Sequence, residues 1–210
     1  MPSVVIIDYG SGNIRSVAKA FEHVGAGVTI SSDVSSLKGA SHIILPGVGA
    51  FADCMGGLSR IPGMLDVLRE QVVVRKKMFL GVCVGMQLLF ERGYEHGECE
   101  GLGWIKGEVV PIADSARGEL SNIKIPHMGW NELRIEGDSP ILSGVDEGSH
   151  VYFTHSYHAL VKDRSKLLAV SRHGIDIAGV VGSDNIFGVQ FHPEKSQRVG
   201  LSILENFMRL

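Results

Sequence analysis

The chain has 210 residues and a formal net charge of −3, and its isoelectric point is near 6.3. Hydrophobic residues make up 44% and charged residues 20%, a composition that is ordinary for a globular protein. The slightly acidic balance gives no electrostatic basis for a nucleic-acid surface, and no apolar stretch is long enough to span a bilayer.

This length predicts one α/β domain over residues 1–210. The segment Met1–Asp8 lacks the basic start of a signal peptide and is interpreted as the first core strand. Cys54, Cys83 and Cys99 have neither disulfide nor zinc-site spacing, so no metal is expected. A reducing cytoplasm is the expected location.

The first half of the chain alternates short apolar runs with segments of helical periodicity. Strands are predicted at Ser3–Ile7, Val28–Ser31, His42–Leu45 and Met78–Val82. Helices are predicted at Ile14–Val24, Ala50–Ser59 and Met64–Val74. This alternation favours a doubly wound, mostly parallel sheet flanked by helices.

The second half is richer in strands. They are predicted at Trp104–Ile112, Val151–Thr154, Leu167–Arg172, Ile175–Val181 and Ile186–Phe191, with a closing helix at Ser196–Met208. Glu95–Gly103 is predicted to be a loop and Asp114–Asn122 an exposed polar segment. The turn at Arg172–Gly174 resembles a hairpin, so an antiparallel region is expected beside the parallel sheet.

Two loops follow predicted strands, at the sheet edge where α/β proteins place functional groups. Asp8–Asn13 opens a helix with Gly-Ser-Gly, which is compatible with a phosphate site but lacks the full dinucleotide-binding pattern. Pro46–Gly49 reads Pro-Gly-Val-Gly, and its glycines allow the Gly47–Val48 peptide to rotate and present its N–H. A plain strand-to-helix turn is the alternative for this second loop.

The segment Ile125–Asn131 has neither helical nor strand periodicity and is interpreted as a loop. Met128 and Trp130 within it are either exposed contact residues or a plug at the edge of the core. Composition alone favours the plug.

The segment Gly81–Gly85 reads Gly-Val-Cys-Val-Gly and joins an apolar strand to an apolar helix containing Met86–Phe90. It has the form of a nucleophile elbow, a tight turn that exposes its central residue at the top of a sheet. Cys83 would stand at a helix N-terminus, which favours the thiolate. The N–H of Val84 would face a developing oxyanion. Taken alone, a buried structural cysteine remains an alternative.

The last predicted strand runs into Phe-His-Pro-Glu at residues 191–194. The proline keeps His192 extended, so His192 and Glu194 are expected on one side of the chain. Glu194 can then orient the imidazole, and His192 can take the proton of Cys83 and later protonate a leaving group. A lone histidine is more often structural, but this combination with a cysteine elbow predicts a catalytic triad.

Together, Gly81–Gln87 and Phe191–Glu194 resemble the class I, or triad, glutamine amidotransferases. The resemblance covers nearly the whole chain, with the motifs in the same order. It implies a flavodoxin-like α/β fold with an added antiparallel region and no cofactor. It also implies hydrolysis of glutamine to glutamate and ammonia through a glutamyl thioester on Cys83.

Four further segments, 8–13, 45–51, 126–131 and 192–196, resemble one branch of that family. The branch passes ammonia to a separate (β/α)8-barrel cyclase in a heterodimer, where it closes the imidazole ring of imidazole glycerol phosphate in histidine biosynthesis. This resemblance implies an oxyanion hole at Val84 and Val48 and glutamine contacts at Gly49, Gln87, Ser156 and Tyr157. It places the partner interface at Asn13, Trp130, Tyr152 and Lys195, and makes the loops at 8–13 and 126–131 docking surface.

Three alternatives stay open at this point. The chain is compatible with the glutaminase subunit of another amidotransferase, or with a cysteine hydrolase of a similar sheet that does not act on glutamine. A non-catalytic scaffolding subunit is the third, and the intact Cys83, His192 and Glu194 argue against it.

Overall fold

The computed structural model describes residues 2–116 and 123–210. The helices in these ranges are α1 (Ile14–His23), α2 (Ser36–Gly39), α3 (Phe51–Arg60), α4 (Met64–Arg69), α5 (Val84–Gln87), α6 (Ile112–Ser115) and α7 (Gln197–Met208). A π-helical turn, Glu70–Val74, extends α4, and short 3-10 turns occur at Pro140–Leu142, Arg164–Lys166 and Pro193–Lys195.

The strands of the first half are β1 (Ser3–Ile7), β2 (Gly27–Ser31), β3 (His42–Gly47), β4 (Met78–Cys83), β5 (Arg92–Gly93), β6 (Cys99–Glu100) and β7 (Gly107–Pro111). Those of the second half are β8 (His127–Glu132), β9 (Arg134–Ile135), β10 (His150–His155), β11 (Tyr157–Val161), β12 (Leu167–His173), β13 (Ile175–Ser183) and β14 (Ile186–Val189).

Among the described residues, one sheet of eight strands forms the centre in the order β2-β1-β3-β4-β14-β13-β12-β9. The pairs from β2 to β14 are parallel, and those from β14 to β9 are antiparallel. The apolar runs of β1, β3 and β4 are almost entirely buried, as the central strands of a sheet covered on both faces must be. The first four strands therefore follow the flavodoxin-like order, with a switch point between β1 and β3.

Two smaller sheets contact the antiparallel strands β12 and β13 of this main sheet. Strand β10 pairs with β8, and β11 pairs with β7 beside β5 and β6. The closing helix α7 buries Gly200, Ile203, Leu204 and Phe207, and the Phe207 ring packs against His42 of β3 and Phe187 of β14. No helix in the described ranges has the length and apolar character needed to cross a membrane.

The strands and helices predicted in the first half lie within a few residues of their predicted bounds, and the structure adds α2 and β5, which were not predicted. Two of the predicted segments differ. The helix after Cys83 is the single turn Val84–Gln87, because the chain bends at Leu88 and runs towards β5. The interval predicted as a loop, Glu95–Gly103, contains the short strand Cys99–Glu100, which pairs with β5.

The prediction of a loop at Ile125–Asn131 is wrong for most of its length. Residues from His127 form β8 and pair in antiparallel register with β10. The core plug is also wrong, since Met128 is 62% exposed and Trp130 is 48% exposed. In the polar segment predicted at Asp114–Asn122, α6 takes the first residues, and residues 117–122 lie outside the described ranges.

Candidate active site

Cys83 closes β4 in a backbone conformation that side chains rarely adopt, with φ 56° and ψ −113°. The strand turns there directly into α5, and the crossing is too close for side chains. A Cβ on Gly85 would overlap the carbonyl oxygen of Leu45, and one on Gly81 would overlap that of Gly85. The predicted elbow is thus present, and its strain is located at the residue whose side chain must leave the sheet edge.

The last strand of the parallel set brings a histidine to the same edge. Val189 of β14 lies beside Val82 of β4 in parallel register, so the residues that follow each strand are neighbours. The Nδ1 of His192 is 2.9 Å from Oε1 of Glu194, and both side chains are buried. The predicted pairing of His192 and Glu194 is present, but the extended chain predicted for it is wrong, since Pro193–Lys195 form a 3-10 turn that brings the carboxylate back to the imidazole.

His192 is charged more readily than an ordinary histidine. Burial lowers its pKa, but hydrogen bonds with Cys83 and Glu194 and the charges of both groups raise that pKa to about 9. A protonated imidazole beside the sulfur favours the thiolate, and it is also the acid that a departing amine requires.

A pocket of about 240 Å³ opens over Cys83 and His192. Its walls include all the residues predicted to line the site: Val48, Gly49, Val84, Gln87, Ser156 and Tyr157. A larger, more open depression of about 750 Å³ lies over residues 135–144, but no cysteine or histidine lines it. The chemistry is therefore concentrated in the smaller pocket.

Gln87 is buried one turn after Cys83, and its amide is already engaged. Nε2 donates to the carbonyl oxygen of Tyr157 at 3.0 Å and to Oε1 of Gln190 at 3.0 Å. Gln87 thus ties the pocket floor to the β10–β11 turn, which carries Ser156. A substrate contact from the Gln87 side chain would use its oxygen Oε1, because both bonds engage Nε2.

The Pro-Gly-Val-Gly loop is held on both sides of its central peptide. The hydroxyl of Tyr9 donates to the carbonyl of Pro46 at 2.7 Å, and that of Ser11 donates to the carbonyl of Val48. The thiol of Cys54 also reaches the Val48 carbonyl, at 3.7 Å, and burial raises the pKa of this thiol. The Ser11 hydroxyl is thus engaged in a hydrogen bond within the protein, which does not support a phosphate site in the first loop.

The four residues predicted at an interface separate into two groups. Asn13 and Lys195 line the pocket, and Nδ2 of Asn13 lies 3.4 Å from Oε1 of Glu194. Trp130 and Tyr152 pair across β8 and β10, with ring centroids 6.0 Å apart. Lys195 connects the groups, since its Nζ is 5.8 Å from the centroid of the Tyr152 ring.

Sequence reasoning missed a buried cluster beside the pocket. Nδ1 of His127 lies 2.9 Å from Nε2 of His155, and the His127 ring stacks between Phe153 and His173. Burial lowers the pKa of His155 to about 4; burial, with His155 and His173 nearby, lowers that of His127 to about 3. The available signal was weak, because a histidine that faces inward has no distinctive spacing.

A cysteine elbow, a histidine with its orienting carboxylate and a glycine loop that can turn an N–H towards the pocket define a site for acyl transfer from an amide. Comparison with known proteins agrees with this chemistry. Residues 5–210 match the family described as glutamine amidotransferase class-I, and the chain belongs to that family.

Curated relatives extend over almost the whole chain. The imidazole glycerol phosphate synthase subunit HisH of Rhodospirillum rubrum is 48% identical over 215 residues, covering 98% of each chain. Subunit HisH 1 of Campylobacter jejuni is 48% identical over 207 residues, covering 99% of this chain and 100% of the relative. Among solved structures, PurLQS from Thermotoga maritima matches with a TM-score of 0.75 at 18% identity, covering 99% of this chain and 98% of that chain, which supports the fold.

Proposed function

We propose that this chain is the glutaminase subunit of an imidazole glycerol phosphate synthase. It hydrolyses glutamine and supplies the ammonia to a (β/α)8 cyclase subunit in histidine biosynthesis. The observation that carries the proposal is the Cys83–His192–Glu194 constellation in a chain 48% identical, over nearly its full length, to curated subunits of that synthase. The free cysteines fit a reducing, cytoplasmic location.

The reaction begins with attack of the Cys83 sulfur on the side-chain amide carbon of glutamine. The oxyanion of the tetrahedral intermediate would be bound by the N–H of Val84, which as the first residue of α5 has no partner within the helix. His192 then protonates the departing nitrogen, and a glutamyl thioester remains on the sulfur. Water deprotonated by His192 attacks the thioester and releases glutamate.

A second oxyanion donor depends on the glycine loop. The N–H of Val48 would complete the hole once the Gly47–Val48 peptide turns towards the pocket, while Tyr9 and Ser11 hold the carbonyls on either side. One missing donor lowers the rate by about 10²–10³-fold. We propose that docking of the cyclase with its ligand turns this peptide, so that glutamine is consumed only when ammonia can be used.

The docking face in this proposal consists of Met128, Trp130, Tyr152 and Lys195. Met128 and Trp130 give this face exposed apolar surface. Lys195 connects the face to the pocket, because it lines the pocket and also lies over the Tyr152 ring. A partner that covers this face can receive ammonia beside the place where it forms. The expected occupant is the cyclase barrel, in a heterodimer.

The test is ammonia release from glutamine by the wild type, Cys83→Ala and Cys99→Ala, each alone and with the liganded cyclase. We expect activity in the wild type and in Cys99→Ala, stimulation by the cyclase, and loss of at least 10³-fold in Cys83→Ala. Cys99 is a suitable control because it is free, partly exposed and outside the pocket. Hydrolysis of simple esters without preference for glutamine would favour a different hydrolase, and equal rates with and without the cyclase would exclude the coupling.

A further inference from the structure

Gln190 is a second side chain from the last strand that reaches the sulfur. It is fully buried, and its backbone N–H donates to the carbonyl of Gly179 at 2.9 Å, which fixes its backbone against β13. Because the register places Val189 beside Val82, Gln190 follows directly beside Cys83. Its Nε2 lies 3.8 Å from the Cys83 sulfur. Gln190 and His192 both face the nucleophile, since each has a side-chain contact with Cys83.

The orientation of the Gln190 amide is determined by its neighbours. The carbonyl of Tyr157 accepts a hydrogen bond from Gln87, which requires the Gln87 NH₂ group at that position. The same NH₂ group faces the Gln190 side chain at 3.0 Å, so Gln190 must present its oxygen there. Its own NH₂ group is then the end that points at the sulfur.

We propose that Gln190 is a catalytic residue that donates a hydrogen bond to the Cys83 thiolate and holds it in line with the pocket. The proposal rests on the proposed function, in which Cys83 is the nucleophile. A donor to an anion favours the charged form, and an amide donor keeps its proton at every working pH. The Gln190 side chain also accepts a hydrogen bond from Gln87, and Gln87 donates to Tyr157. These bonds connect the nucleophile to the pocket residues predicted to bind glutamine.

A catalytic Gln190 and a glutamine that only fills the core differ in one measurable effect. Loss of a purely structural glutamine would lower stability but would leave the pH dependence of Cys83 reactivity unchanged. The groups that face Cys83 from neighbouring elements stay in place in every variant used below; they are His192, Glu194, His155, Lys195, Tyr9 and Cys54.

The experiment measures the rate of Cys83 alkylation by iodoacetamide against pH, read by peptide mass spectrometry, in the wild type, Gln190→Leu and Gln190→Glu. Leucine removes the donor, and glutamate keeps the length but places oxygen beside the sulfur. In the wild type the alkylation rate should rise with pH as the thiol ionises, and we call this rise the alkylation limb. We expect the limb to move to higher pH by about one pH unit or more in both variants, as for loss of a hydrogen bond to a charged group. In the same variants kcat/KM for glutamine should fall at least tenfold. Gln71→Leu is the matched control, because Gln71 is also a buried glutamine and lies outside the pocket.

Circular dichroism shows which variants fold, and glutamate serves as the second variant if leucine does not. An alkylation limb in folded Gln190→Glu that coincides with the wild type would overturn the proposal. So would an equal shift in Gln71→Leu. Wild-type protein that releases no ammonia from glutamine would instead contradict the proposed function, while the alkylation profile would still test the contact between Gln190 and Cys83.

Discussion

At the scale of single residues, the site depends on a charge relation between three side chains. Cys83 and Glu194 together overcome the effect of burial on His192 and raise its pKa to about 9. The histidine can therefore remain a proton donor at neutral pH. This is the condition under which the thioester can form and ammonia can leave.

Replacing Glu194 with glutamine keeps the shape of the side chain but removes its charge. We expect kcat for glutamine hydrolysis to fall by about 10²-fold or more, because the imidazole loses both orientation and stabilisation. The alkaline limb of the pH profile should also move down from about 9 towards the ordinary histidine value of 6.5. Ammonia release measured between about pH 6 and about pH 10 gives both quantities.

The control for this change is Glu205→Gln, since Glu205 is half exposed on α7 and pairs only with Arg209 among the contacts described. Its profile should match the wild type. An alkaline limb that stays near 9 in Glu194→Gln would show that the carboxylate does not raise the pKa of His192.

The two halves of the triad could be predicted from the sequence because the spacing within each half is local. His192 and Glu194 are two residues apart in a His-Pro-Glu segment, and the glycines on either side of Cys83 mark the elbow. Gln190 has the same local spacing to His192, yet its role depends on the register between β14 and β4, which joins residues 107 positions apart. Nothing in the sequence around it indicates that register.

At the scale of elements, the elbow is the most tightly constrained junction between a strand and a helix. Gly85→Ala places a methyl group against the carbonyl of Leu45, which belongs to the neighbouring strand β3. We expect the free energy of unfolding to fall by about 3 kcal/mol or more, since backbone on both sides resists the overlap. Urea denaturation followed by circular dichroism measures it.

Gly39→Ala is the matched control, because a Cβ at Gly39 meets nothing within 4 Å. Gly39 is exposed in α2, where alanine should be neutral or slightly stabilising. Equal unfolding midpoints for Gly85→Ala and Gly39→Ala would contradict the close crossing of β4 and α5.

Strand β8 was not predicted because its pattern is the reverse of an ordinary surface strand. His127, Gly129 and Asn131 face inward, while the apolar Met128 and Trp130 face out. The usual alternation assumes that apolar side chains face the core. Here the inward-facing polar side chains are paired by hydrogen bonds that join His127 to His155 and to Asn131. The apolar side chains are exposed on the opposite face of the strand. This reversed pattern is what the proposed docking face would require of β8.

At the scale of the whole molecule, buried histidines make stability depend on pH. Burial lowers the pKa values of His155 and His158 to about 4, and burial with nearby histidines lowers that of His127 to about 3. The unfolded chain binds protons at about 6.5, so their stabilisation is complete above that pH and is lost as the pH falls towards 4. His192 has the opposite sign, and its contribution is lost as the pH rises from about 6.5 through 9.

We therefore expect the free energy of unfolding to be greatest near neutral pH and to decline on the acid side. Each buried neutral histidine contributes a slope of about 1.4 kcal/mol per pH unit within its window. Urea denaturation at a series of pH values measures the slope. His158→Gln should reduce it, whereas His23→Gln, at an exposed position on α1, should leave it unchanged. Constant stability between about pH 6.5 and about pH 4.5 would contradict this account.

The last prediction concerns the proposed docking face, where the exposed Trp130 is the expected anchor for the cyclase. Trp130 is held against Tyr152, which in turn lies under Lys195, so the ring is already ordered before a partner arrives. Trp130→Ala should weaken binding of the cyclase by about 2 kcal/mol, or about 30-fold in Kd, and should leave the fold intact. Isothermal titration calorimetry with the purified cyclase measures Kd, and Val74→Ala, which truncates another exposed apolar residue, should bind like the wild type. An unchanged Kd for Trp130→Ala would place the cyclase on a different face and remove the direct route for ammonia from the pocket beside Lys195.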